Sequence, residues 1–132
     1  MDKNKIIELL TVKELTDIEE LTYKDDVFVL RFYYDFDESE VKAARAYAND
    51  ESEEVEDSEA WAEEFFLPYL TDLAIDNVGE YIEEIMEETE VSAQYMSYDL
   101  TADEVDYCEF IAIFHKEDKD IEIETVLDDL KL

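Results

Sequence analysis

The chain has 132 residues, of which 47% are hydrophobic, and its 10 Lys and Arg against 41 Asp and Glu give a formal net charge of −31. This hydrophobic content is too high for a disordered acidic tail, and the length suits a single domain, residues 1–132. One glycine excludes Gly-rich phosphate loops, and one cysteine excludes an internal disulfide.

The first third of the chain predicts one helix and two strands. Residues 3–10 carry their apolar side chains on one helical face. Residues 18–23 are a short strand candidate, and a turn at residues 24–26 separates them from residues 27–36. In residues 27–36 the apolar side chains alternate at period two, which is the clearest strand pattern in the chain.

The middle of the chain predicts helices separated by an acidic loop. Asp37 followed by Glu40 has the spacing of a capping box, so a helix should begin here and continue through residues 41–48. Residues 50–57 hold six acids in eight residues and predict a loop. A second helix should follow, and Pro68 should either kink that helix or begin a new one.

The C-terminal half predicts a long helix, two strands and a short helix. Residues 70–85 have the strongest amphipathic pattern of the chain. Residues 91–100 alternate as a strand does, and residues 107–115 are apolar on both faces, which indicates a central strand. Residues 121–130 fit either a strand or a helix, and we favour a short helix.

Two hairpin-like strand pairs therefore flank a helical middle. The sequence predicts an α+β domain, in which a small, mostly antiparallel sheet of about four strands has helices packed on one face. No apolar run is long enough for a transmembrane helix, and the apolar stretch near residue 6 is too short to predict a secretory signal. With a single cysteine, these features favour a cytoplasmic location.

Few residues offer catalytic chemistry. Cys108 and His115 are the only cysteine and histidine, and their spacing on one strand puts them on opposite faces, more than about 20 Å apart. We interpret Cys108 as a core residue and His115 as a surface residue at a strand end. Calcium-loop and di-iron patterns are absent, so we expect no metal site and no cofactor. With so many acids, carboxylate pairs arise by chance, so a carboxylate-based enzyme and a loose cation binder remain alternatives.

The distribution of charge along the chain is the feature that indicates a function. No Lys or Arg lies between Arg45 and Lys116. Inside this gap five glutamates share one helical face, namely Glu80, Glu83, Glu84, Glu87 and Glu88. A second group crowds the acidic loop and consists of Glu51, Glu53, Glu54, Glu56 and Asp57. Like charges at helical spacing each cost a few tenths of a kcal/mol, and since the gap holds no cation we expect nothing to compensate for them.

Several interpretations of this charge compete. The simplest is a general solubilising surface, and a halophile's surface is another, although the many large apolar residues fit it poorly. In size, charge and acidic helical face, the chain resembles DNA-mimic inhibitors of the anti-restriction type. That resemblance implies binding to a DNA-binding protein. A dimeric structural module that pairs its strand faces is a further alternative.

Our working hypothesis is a non-enzymatic protein whose negative surface, formed by the ten acids named above, binds a basic protein partner. A DNA-binding protein is the sharpest form of that partner. Repulsion disfavours direct binding to nucleic acid or to an anionic membrane. We expect a monomer or a weak dimer. The hypothesis requires the acids to gather on one flank of the fold.

Overall fold

The order of helices and strands agrees with the order predicted from the sequence. The computed structural model describes residues 1–103 and 105–132. The helices are α1 (Lys3–Val12), α2 (Glu38–Glu51), α3 (Glu59–Trp61), α4 (Leu67–Thr89) and α5 (Ile123–Leu130), with a π-helical segment (Ala62–Phe66) between α3 and α4. The strands are β1 (Thr16–Leu21), β2 (Val27–Asp35), β3 (Ser92–Ser97) and β4 (Tyr107–His115). The final stretch, which fitted either structure, contains the short helix α5.

The four strands form one antiparallel sheet in the order β1-β2-β4-β3. β2 and β4 pair along their whole length, from Val27 opposite His115 to Asp35 opposite Tyr107. β4 is therefore a central strand, as its two apolar faces predicted. The predicted α+β class, with a small antiparallel sheet, is confirmed.

The two faces of the sheet are covered by different helices. Apolar residues of α1 and α4 pack on the face that carries Phe28, Phe32 and Phe110. Apolar residues of α5 pack on the opposite face, against residues that include Val29 and Ile111. The expectation that helices pack on one face describes α1 and α4, but α5 adds cover on the second face. The reason is that β2 and β4 are apolar on both sides, so the second face also has to be shielded from water.

The capping box that begins α2 is present as predicted. The Asp37 carboxylate accepts from the Glu40 backbone N–H at 2.8 Å, and the Glu40 carboxylate accepts from the Asp37 N–H at 2.9 Å. Such a cap stabilises a helix by about 1 kcal/mol. The helix then runs to Glu51, further than predicted, so Asp50 and Glu51 are helical and the acidic loop is shorter than the sequence indicated.

Pro68 lies in the first turn of α4, which agrees with the prediction that it stands at the start of a helix. The backbone stays helical from α3 through the π-helical segment into α4, and the Leu67 N–H bonds to the Ala62 carbonyl, five residues back. Proline has no N–H to donate and its ring crowds the preceding turn. The wider π turn lies directly before Pro68 and accommodates both effects.

The single glycine marks the place where α4 approaches β3. A Cβ at Gly79 would lie 2.6 Å from the Tyr95 hydroxyl oxygen, which is closer than a normal contact. Glycine costs about 1 kcal/mol relative to alanine inside a helix. This close approach is a packing reason for the glycine.

Candidate functional site

The five glutamates predicted to share one face of the long helix do so, and all are exposed. Glu80, Glu83, Glu84, Glu87 and Glu88 point to solvent along the second half of α4. The buried side chains of the same helix occupy the other side and pack on the sheet; they include Ala74, Val78, Ile82 and Ile85. The periodicity that builds the core thus places the acids outside.

Two acids missed by the sequence reasoning extend this face toward the start of α4. Asp72 and Asp76 are exposed and precede Glu80 by eight and four residues, which puts them on the same side of the helix. We call the combined set the acidic stripe; it consists of Asp72, Asp76, Glu80, Glu83, Glu84, Glu87 and Glu88. The stripe runs about 24 Å along the helix, with about one carboxylate per 4 Å. The signal that would have found Asp72 and Asp76 is the i, i+4 spacing, continued N-terminally.

The second predicted group, which consists of Glu51 at the end of α2 and the four loop acids, is also exposed but is partly neutralised. The Arg45 guanidinium lies 3.0 Å from a Glu56 carboxylate oxygen and 3.1 Å from one of Asp57. The same guanidinium stands over the rings of Trp61 and Phe66, which fixes its position. The loop therefore carries less net charge than its sequence suggests.

The two predicted acidic groups do not meet in one site. The loop immediately precedes Ser58, which caps α3 by accepting from the Trp61 N–H. From Ser58 to Glu80 the helical backbone rises by about 33 Å. The five glutamates and the loop are therefore separate surfaces. The acidic stripe, which begins at Asp72, starts about 21 Å from Ser58 along the same helical backbone.

The expectation that nothing compensates the helix glutamates was wrong for one of them. Lys13, directly after α1, forms an ion pair with Glu84. Its ammonium also lies 5.4 Å from the centre of the Tyr81 ring. The hydrogen bond to Glu84 raises the pKa of Lys13 above its usual value. Among the described residues, no other ion pair reaches the stripe.

Acids are not confined to one flank of the fold, so the segregation that we required does not hold for them. Exposed acids also lie on other elements, for example Glu8 on α1, Glu20 on β1, Glu38 on α2 and Glu124 on α5. The cations are the segregated charges. No Lys or Arg occurs from residue 46 to residue 115, which includes α3, α4, β3 and β4. Negative charge is thus widespread, and it is least opposed along α4.

The histidine is not the surface residue that was expected. Only 4% of His115 is exposed, because β2 and β3 pair with it on both sides. Its Nδ1 donates to the Lys116 carbonyl at 2.9 Å, whereas its Nε2 is buried and has no hydrogen-bond partner within the described residues. Its neighbours in the sheet, Val27 and Ser92, bring no acid or cation to it.

A polar cavity of about 560 Å³ lies where β2, α2 and α4 meet. The Tyr34 hydroxyl donates to the Glu40 carboxylate at 2.6 Å and accepts from the Asn77 amide at 2.7 Å. Burial, followed by the bond to Glu40, raises the pKa of Tyr34 well above its ordinary value. Tyr34 therefore keeps its proton and acts as a donor, so this cluster ties three elements together instead of supplying a base.

Cys108 lies in the core, as predicted. Burial, with smaller contributions from Glu109 and Asp99, raises the pKa of its thiol to about 11. Since the thiolate is the reactive form, the thiol should be inert in the folded protein. The raised pKa also means that the folded state loses stability as the pH rises above the ordinary thiol value toward 11.

We expect neutral iodoacetamide to alkylate Cys108 at about pH 8 at least about 100-fold more slowly in the folded protein than in urea. The neutral reagent avoids repulsion by the acidic surface, and the urea-unfolded chain is the control. Mass spectrometry over time measures both rates. Rates that agree within about tenfold would contradict the buried position of the thiol.

No metal centre is visible in the part of the chain that the structure describes, since no three His, Cys, Asp or Glu side chains there are arranged to hold an ion. Within residues 1–103 and 105–132, no helix combines the length and apolar character needed to cross a bilayer. Comparison with known proteins found no matching family model, and neither curated proteins nor solved structures gave a significant match. Function has to be inferred from the geometry of the chain itself.

Proposed function

We propose that this protein is a non-enzymatic binder whose strongly negative surface engages a basic protein partner. The acidic stripe is the observation that carries the proposal. Its seven exposed carboxylates lie on one rigid helix, and one cation, Lys13, pairs with them among the described residues. The helix fixes the backbone that carries these carboxylates before binding, so little backbone order has to be gained in the complex.

The stripe is also costly to the protein, which supports a role beyond solubility. Its members form several like-charge pairs three or four residues apart, and each pair destabilises a helix by a few tenths of a kcal/mol. Ordinary soluble surfaces avoid this cost by mixing both signs of charge. A basic partner would remove the repulsion on binding, whereas nucleic acids and anionic membranes would add to it.

A second candidate is an inhibitor that mimics the DNA backbone. Because the acids do not gather on one flank of the fold, this candidate rests on the acidic stripe alone and not on the whole surface. Phosphates of one DNA strand follow each other at about 3.4 Å along the duplex axis. The stripe averages one carboxylate per about 4 Å along α4, with single steps of about 1.5 to 6 Å. A protein surface that binds a row of phosphates would therefore meet a row of similar charge density.

Titration of the protein against two basic probes, core histones and lysozyme, tests both candidates. We expect both probes to bind at low salt and to dissociate as salt screens the charges. If the DNA-mimic candidate is correct, duplex DNA should displace the protein from histones, and histones should bind more tightly than lysozyme. Equal affinity for the two probes would count against the DNA-mimic candidate but not against the binding of a basic partner. No binding to either probe at low salt would overturn the proposed function.

A further inference from the structure

The chain binds one of its own arginines with a combination of aromatic rings and carboxylates. The Arg45 guanidinium carbon lies 5.5 Å from the centre of the Trp61 ring and 5.3 Å from that of Phe66. Glu56 and Asp57 accept its N–H groups at 3.0 and 3.1 Å. The rings attract the cation through their electron-rich faces, and the carboxylates fix its orientation.

The same combination holds a lysine elsewhere in the fold. The Lys3 ammonium lies 5.1 Å from the centre of the Phe28 ring and 3.7 Å from a Glu20 carboxylate oxygen. An aromatic ring beside a carboxylate is thus one arrangement in which this protein holds its own cations, as Lys13 also shows between Glu84 and the Tyr81 ring.

A groove of about 360 Å³ between α2 and the helical segment that leads into α4 has this composition without a cation. Tyr47 and Tyr69 line it, with ring centres 5.1 Å apart and planes tilted by 33°. Its acidic side chains are Glu64, Asp72 and Asp76. In the described chain, none of these three carboxylates forms an ion pair, and neither tyrosine lies beneath a cation. We call this site the tyrosine groove.

The local backbone explains why these side chains converge. Glu64 lies in the π-helical segment that accommodates Pro68, and both residues line the groove. Tyr47 is 42% exposed, which is a high fraction for a large aromatic side chain. Asp72 and Asp76 belong to the acidic stripe, so the groove is continuous with the surface proposed to bind a basic protein.

We propose that the tyrosine groove binds an arginine side chain of that basic partner. Its guanidinium would stack on Tyr47 and Tyr69 and donate to Asp72 or Asp76. The proposal rests on the proposed function and names the residue type that the partner inserts. The groove volume falls in the range of small-ligand sites, so it can admit one long side chain. Arginine fits better than lysine because its planar group can stack on rings and donate in a fork at the same time.

Fluorescence anisotropy with labelled hexa-arginine and hexa-lysine tests the proposal, since the two peptides carry the same charge. We expect hexa-arginine to bind more tightly, and Tyr47→Ala to reduce its affinity about fivefold while hardly changing that of hexa-lysine. Tyr47→Phe should retain the preference, because it keeps the ring. Tyr47 is partly exposed, so its replacement should leave the fold intact, which circular dichroism checks.

Two matched charge variants distinguish binding in the tyrosine groove from attraction of the peptide by the net negative charge. Asp72→Asn with Asp76→Asn should weaken hexa-arginine binding more than Glu124→Gln with Asp128→Asn. Both pairs are exposed, lie four residues apart on one helix and lose the same charge. The proposal that the tyrosine groove binds arginine would be overturned if the preference for hexa-arginine survived Tyr47→Ala. Equal effects of the two charge variants would also overturn it. If both peptides then still bind in a salt-dependent way, the proposed function stands; if neither binds the unmodified protein, both proposals fail.

Discussion

Replacing the five α4 glutamates Glu80, Glu83, Glu84, Glu87 and Glu88 by glutamine should weaken binding to core histones by about 100-fold. Exposed ion pairs contribute about 0.2–1 kcal/mol each, so five of them give roughly 2.5 kcal/mol, or about two orders of magnitude. Isothermal titration calorimetry at low salt measures the change. The salt dependence of the affinity should become shallower in the variant, because fewer charges are paired.

The same substitution should make the protein more stable by about 1 kcal/mol at low salt. It removes six like-charge pairs at helical spacing, one of them between Asp76 and Glu80, and each costs a few tenths of a kcal/mol. The loss of the Lys13–Glu84 pair offsets a small part of this gain. Glutamine and glutamate have similar helix propensities, so propensity contributes little. Urea unfolding measures the change, and opposite signs for binding and stability would identify the stripe as a functional surface.

The acidic loop supplies the control for this experiment. Replacing Glu51, Glu53, Glu54, Glu56 and Asp57 by their amides removes the same number of charges from a surface about 33 Å away along the helix. We expect a smaller loss of histone binding, partly because Arg45 pairs with two of these acids and offsets one of their charges. Equal losses from the two variants would mean that net charge alone decides binding, which would contradict a site on α4.

The features that could be predicted from the sequence are those that depend on residues close together along the chain. The capping box of Asp37 and Glu40 is a local spacing, and the central position of β4 follows from its own apolar faces. The face of the sheet that α5 covers could not be predicted, because periodicity defines the apolar side of a helix but not its destination. The burial of His115 was missed for a similar reason, since it depends on pairing with two strands.

In the candidate site, too, local sequence patterns predicted the exposed charges but not the contacts between separate elements. The exposure of the glutamates on α4 followed from helical spacing. The pairing of Glu84 with Lys13, and of Glu56 with Arg45, joins residues on different elements and has no sequence signature. The tyrosine groove was missed for the same reason: Tyr47 and Tyr69 belong to separate helical segments, and only the packing of α2 brings their rings together.

Phe110→Ala should lower the free energy of unfolding by about 3–5 kcal/mol, the largest effect on stability that we expect from one substitution. Phe110 is fully buried on the central strand β4, and its ring stacks on Phe32 with ring centres 5.7 Å apart. The Tyr95 ring lies 6.4 Å from the Phe110 ring, centre to centre, and is tilted by 41° to it. Truncation would leave a cavity that the rigid sheet cannot close. Phe110→Leu retains most of the side chain and should cost much less.

Phe110→Ala also separates the contribution of core packing to stability from that of surface charge. Added salt should stabilise the unmodified protein, because screening weakens the mutual repulsion of its net charge of −31. Phe110→Ala changes no charge, so urea unfolding at low and high salt should give it the same salt-dependent gain, within about 0.5 kcal/mol. High salt would then restore part of the lost stability without repairing the cavity. A gain that vanished in Phe110→Ala would mean that core packing and surface repulsion are coupled, and that the two cannot be treated as opposing, independent terms in this fold.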